Sequence, residues 1–156
     1  MLLLSISIWV VLVYSLRVFL TGNPAYGLVK TAPTLVLQQA SDCLESEILP
    51  ENDSIILFIK TFFRLTALAC VVFVVELITV FYFVYHEPQL IIPWFILSKN
   101  MFMLWLGYNL HRRSSENIFD SVLNIPDWAM RWERISYFVT AVCFFYLFLL
   151  VNDFIA

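Results

Sequence analysis

Two ionisable side chains stand inside long apolar runs, Glu76 within about 65–85 and Lys99 within about 90–110. A charge at the bilayer centre costs about 2.5–3.5 kcal/mol on insertion scales, so it calls for a partner or for water. Glu76 precedes Tyr85 by nine residues and Lys99 follows Leu90 by nine, around the connection His86-Glu87-Pro88-Gln89. At 1.5 Å per residue both lie roughly 13–14 Å from that end, level with each other and near the middle of a layer about 30 Å thick. A connection this short makes the two segments antiparallel neighbours. The chemistry open to them is a structural ion pair, proton, ion or gating chemistry, or a pairing across subunits. The helical face of Glu76 (Thr66, Ala69, Phe73, Val80) and that of Lys99 (Ile92, Phe95, Met103, Leu106) are mixed apolar stripes, which favours the structural pair over a water-filled path. Asn100 is expected on a different face from Lys99.

Other reactive residue types are scattered. Cys43, Cys70 and Cys143 form no C-x-x-C pair and are odd in number, so neither a disulfide framework nor a thiol-redox motif is indicated. His86 and His111 fall at opposite ends of one apolar segment, which does not make a metal pair. No metal site, haem or other cofactor is expected. Nucleophile-elbow, phosphate-loop and H-E-x-x-H patterns are missing from the sequence. Asn52-Asp53-Ser54 fits the N-glycosylation pattern but reads better as a helix cap.

The elements that position these residues follow from composition. The chain has 156 residues, 62% hydrophobic and 13% charged, where soluble domains run about 45–50% and about 25%. A globule of this size exposes too much surface to hide that excess, so the lipid bilayer is the expected solvent. The net charge of −3 argues against a nucleic-acid partner, which needs concentrated Lys and Arg.

Four stretches, about 2–20, 65–85, 90–110 and 135–154, are long enough to cross the hydrocarbon layer as helices. The expected fold is therefore an all-α membrane protein, a single four-transmembrane-helix bundle with short amphipathic helices in its two loops, about 22–60 and 111–134. The first stretch lacks a basic start and runs into Thr21-Gly22-Asn23-Pro24, so it reads as a retained helix and not a cleaved signal. Apart from Arg17 and Lys99, which lie within spans, every basic residue falls in segments 22–64 and 111–134, on one side of the membrane. The positive-inside rule places those loops in the cytoplasm and both termini outside, as in a bacterial inner membrane.

Within the loops, Lys60 and Arg64, Arg112 and Arg113, and Trp128, Arg131, Trp132 and Arg134 read as interfacial anchors. Residues 33–49 carry Leu37, Ala40, Leu44 and Ile48 on one face and polar side chains on another, an amphipathic helix starting near a Thr31 cap and stopped by Pro50. Its acidic residues Asp42, Glu45 and Glu47 disfavour anionic lipid, so a cytoplasmic protein partner or the base of its own bundle is the expected surface for it, the alternative being a solvated connecting helix. Ile118, Phe119, Val122 and Leu123 suggest a short helix lying on the membrane surface. The fourth span begins at Pro126-Asp127, proline and acid suiting a first turn.

Only Gly107 lies inside a span and G-x-x-x-G is missing, while Phe, Tyr and Trp number 15, 7 and 5. So many rings exceed what one bundle encloses, and they face lipid or other subunits.

The length, four spans and long first loop resemble the layout of the membrane-associated eicosanoid and glutathione enzymes. The resemblance implies an Asn-x-x-Glu element where the first loop meets the second span, and this chain has Leu49-Pro50-Glu51-Asn52-Asp53-Ser54 there. The resemblance stops at layout, and Tyr108 and Arg112 in the third span are the only candidates for the substrate contacts it implies. The sequence favours a non-enzymatic subunit of a larger membrane complex, acting through its cytoplasmic loops. A homo-oligomeric channel or pore-type effector using Glu76 and Lys99 is the alternative, and a glutathione-type enzyme the second.

Overall fold

In the computed structural model, residues 2–46, 53–112, 118–123 and 125–152 are described. They fold as seven helices: α1 (Leu2–Thr21), α2 (Pro24–Thr31), α3 (Thr34–Ser46), α4 (Asp53–His86), α5 (Ile91–Arg112), α6 (Ile118–Leu123) and α7 (Asp127–Val151). Three of these regions are long and apolar enough to cross a membrane: Leu2–Thr31, Asp53–His86 and Asp127–Val151. The 22 residues of α5 match them in length, but the polar run Ser98-Lys99-Asn100 at its middle makes it less apolar.

Apolar packing divides into two cores strung along α4. At 34 residues α4 is about 50 Å long at 1.5 Å per residue, more than a bilayer needs, and its two halves do different work. The half nearer the α4–α5 hairpin packs with α1, α5 and α7 around Ile8, Val11, Val18, Val80, Ile96, Phe144 and Leu147. The other half packs with α2, α3 and α6 around Val29, Ala40, Ile55, Phe58, Phe62 and Phe119. α1 and α7 are joined along their length by Trp9–Phe148, Tyr14–Tyr137 and Phe19–Phe138 ring contacts at 5.3, 6.1 and 4.9 Å.

The breaks between helices have local causes. Gly22 ends α1 at φ +82°, a left-handed conformation that costs a residue with Cβ about 1–2 kcal/mol, and its N–H donates to the Val18 carbonyl at 2.8 Å. Asn23 then caps α2, its Oδ1 accepting from the Ala25 N–H at 3.1 Å, with Pro24 in the first helical position. Pro33 separates α2 from α3. Thr31, expected to cap the next helix, is instead the last residue of α2, its hydroxyl donating back to the Gly27 carbonyl at 2.9 Å.

The second core takes up apolar side chains of both loops. In α6, Phe119 is turned inward and is 1% exposed, with its ring 5.6 Å from Phe58 and 5.3 Å from Phe62. Burying one Phe against two others gains area and edge-on ring contacts together. The apolar face of α3, Leu37 and Ala40, is likewise buried against this protein's own helices.

Candidate functional site

Glu76 and Lys99 meet. The Lys99 Nζ lies 3.4 Å from Glu76 Oε1, and Glu76 is 4% exposed. The hairpin sets their level: α4 ends at His86, the Glu87 N–H closes onto the Phe83 carbonyl at 2.8 Å, and α5 starts at Ile91. From that turn Glu76 lies ten residues back and Lys99 eight residues into α5, roughly 12–15 Å along each helix.

The pair belongs to a larger cluster. Asn100 is 4% exposed and its Nδ2 donates to the same Glu76 Oε1 at 3.0 Å, so adjacent residues of α5 converge on one carboxylate and Asn100 does not occupy a separate face. Lys99 also donates to the hydroxyl of Thr140 on α7, and Thr140 donates to the Ser136 carbonyl at 3.0 Å. One turn along α4, the Thr79 hydroxyl donates to the Val75 carbonyl at 2.8 Å and lies 3.1 Å from the Ser7 hydroxyl of α1. Polar contacts thus tie α4 to α5, α5 to α7 and α4 to α1. A hydrogen bond to a charged group contributes about 1.5–3 kcal/mol, about twice a neutral one, and the low dielectric that makes an unpaired charge costly strengthens a satisfied network. Among the described residues, Tyr14 Oη and Ser15 Oγ are buried without a hydrogen-bond partner on the neighbouring stretch of α1.

A second polar cluster lies where α1 turns into α2 beside the first turns of α7. Asn23 Nδ2 donates to Glu133 Oε1 at 3.0 Å. Tyr26 and Arg134 lie beside this contact. These residues border a cavity of about 360 Å³, also lined by Gly22, Gly27, Lys30 and Arg131.

The other expected site residues distribute as follows. Lys60 and Arg64 are exposed on α4, and Trp128 and Trp132 are half exposed on one flank of α7, with Arg131 and Arg134 beside them. Asp42 is exposed on α3. The side chains of Glu45 and Arg112, and Glu47 and Arg113 altogether, lie outside the described residues. Tyr108 is 65% exposed on α5 and touches neither polar cluster. His86 stacks on Tyr82 with ring centroids 4.2 Å apart. Among the described residues, no three His, Cys, Asp or Glu side chains gather as a metal ion would require.

Sequence reasoning missed Asn23 and Glu133 as partners. The run Gly22-Asn23-Pro24 carried a signal for the second cluster, since glycine after a helix, asparagine at a cap and proline in a first turn together mark a helix–helix corner. Thr140 is among the sparse polar residues within the spans that are expected to hydrogen-bond between helices, and what the sequence left open is its partner, Lys99. No family model, curated protein or solved structure matches the chain.

Proposed function

We propose that this is a four-span integral membrane protein, both termini outside, that serves as a non-enzymatic subunit of a larger membrane complex. α5 is the fourth span in this reading, its lysine made tolerable by the partners that α4 and α7 supply. The observation that carries it is the closed polar cluster: Glu76 Oε1 accepts from both Lys99 and Asn100, and Lys99 donates onward to Thr140. A pair occupied in this way supports a role in fastening three helices, and weighs against Glu76 and Lys99 as the lining of a pore, where side chains face water and exchange partners.

The outer surfaces of α4 and α5 support assembly. Ile78 is 65% exposed, Met101 67% and Trp105 60%, with Phe81, Trp94, Phe95 and Phe102 also outside. Such a wall suits lipid and equally another subunit's helix. Because the apolar face of α3 is occupied internally, what its loop offers a cytoplasmic partner is its polar face, including Asp42. Basic loops and the positive-inside rule support a bacterial-type inner membrane with the α4–α5 hairpin outside.

The test is the mass of the particle extracted into nanodiscs under mild conditions. A single copy arriving with a stoichiometric partner is the expected result. A closed homo-oligomer, with conductance that changes on Glu76→Gln, overturns it in favour of a channel.

A further inference from the structure

The cavity between the α1–α2 corner and α7 is lined by more cations than carboxylates. Lys30 from the end of α2 and Arg131 and Arg134 from α7 border it, against Glu133 and Asp127. Among the described residues none of the three cations makes a hydrogen bond or an ion pair within 4 Å, whereas Glu133 is engaged by Asn23. Three cations converge on a space of about 360 Å³ with their donors unspent. Guanidinium forks match phosphate oxygens two at a time, which is why such groups recur where phosphate is held.

The corner is shaped to leave that space. Gly22 carries no side chain toward α7, and a Cβ there would come within 2.8 Å of Arg134 Nη2. Gly27, one turn into α2, leaves its side of the cavity open as well, with nothing within 4 Å of where its Cβ would stand. The position along the helices names the source of the phosphate. Leu20 and Ile135, the neighbours in sequence of the cavity residues Thr21 and Arg134, are 72% and 49% exposed, and Phe19 meets Phe138 one turn further along. Trp128 and Trp132 are exposed on the same end of α7. Cations beside a half-exposed apolar strip and an indole collar match a headgroup with its acyl chains, in the leaflet that basic residues mark as cytoplasmic.

We propose that this cavity binds a phosphate group, supplied by an anionic phospholipid of that leaflet and held by Lys30, Arg131 and Arg134. The inference rests on α1 and α7 spanning the bilayer, as in the functional reading above, but not on the protein being a complex subunit. Lipids retained by the full chain are counted by native mass spectrometry from nanodiscs of mixed phosphatidylglycerol and phosphatidylcholine. Retention of about one phosphatidylglycerol, in preference to phosphatidylcholine, is expected. The paired change Lys30→Gln and Arg131→Gln, at exposed positions, reduces that preference more than tenfold, since a single hydrogen bond to a charged group is a factor of roughly ten or more. The paired change Lys60→Gln and Arg64→Gln removes the same charge elsewhere on the same side, away from the cavity, and reduces the preference far less. Equal retention of both lipids by the wild-type chain, or equal loss in the two paired variants, overturns the site. Displacement of the retained lipid by millimolar inorganic phosphate or glycerol phosphate overturns the lipid source and assigns the cavity to a soluble phosphate ester. Helical circular dichroism in phosphatidylcholine nanodiscs shows each variant folded, and a chain that does not enter nanodiscs at all overturns the membrane-spanning reading first.

Discussion

Asn23 and Glu133 are 110 residues apart in the chain, and the Asn23 amide donates to the Glu133 carboxylate at 3.0 Å. The contact locks the corner after α1 to the second turn of α7. Asn23→Ala removes both this hydrogen bond and the cap of α2, and a loss of about 1–3 kcal/mol is expected. Thermal melting in nanodiscs checks it, and an unchanged midpoint refutes the locking role.

Breaking one partner of the buried pair should be costly. Glu76→Gln alone or Lys99→Met alone leaves a charge unpaired and destabilises by about 3–5 kcal/mol, whereas the double substitution recovers much of that loss. Unfolding of all four proteins in mixed micelles gives the coupling. Strict additivity would show that the two groups do not act as a pair.

Thr140→Val keeps the shape of the side chain and removes the oxygen that receives Lys99. A loss of about 1.5–3 kcal/mol is expected from a hydrogen bond made by a charged group. In the Lys99→Met background the same change should have a much smaller effect, and an undiminished loss there would place the role of Thr140 elsewhere.

Gly22→Ala puts a Cβ on a left-handed backbone, while the exposed Arg134 guanidinium that it would meet can move aside. The backbone alone costs about 1–2 kcal/mol. Gly107→Ala, where nothing lies within 4 Å of the added Cβ and the backbone is helical, should be neutral or stabilising in the same melt.

Phe119→Ala reports on the second core. Truncating a buried Phe costs about 3–5 kcal/mol, and here it also removes the ring contacts to Phe58 and Phe62. Leu123→Ala, 41% exposed on the same short helix, should cost far less. Equal and small effects would mean that α6 does not hold the loop side together.

Helix content, segments long and apolar enough to cross a membrane, the starts of α4 and α7, and the level of Glu76 with Lys99 were all legible along the chain. Each follows from quantities local to the sequence: apolar run length, caps, and rise per residue across a four-residue turn. Rotation and long-range docking were not legible. Whether Asn100 shares a carboxylate with Lys99 depends on how α5 is turned about its own axis, and a helix whose polar residues are flanked by apolar ones in every direction does not fix that angle. Only the position of α7, bringing Thr140 to Lys99, decided it. The same holds for α3 and α6, whose apolar faces fit a bilayer, a partner or this chain equally well by pattern. The length of α4 decided between them, since the half that extends beyond one core carries Ile55, Phe58 and Phe62 and leaves them to be covered by whatever the loops bring near. Sequence alone determined which segments had to leave water, because transfer free energy scales with apolar side-chain area; the tertiary structure decided which of their side chains pack on one another, because a contact 110 residues distant depends on how every helix between is placed.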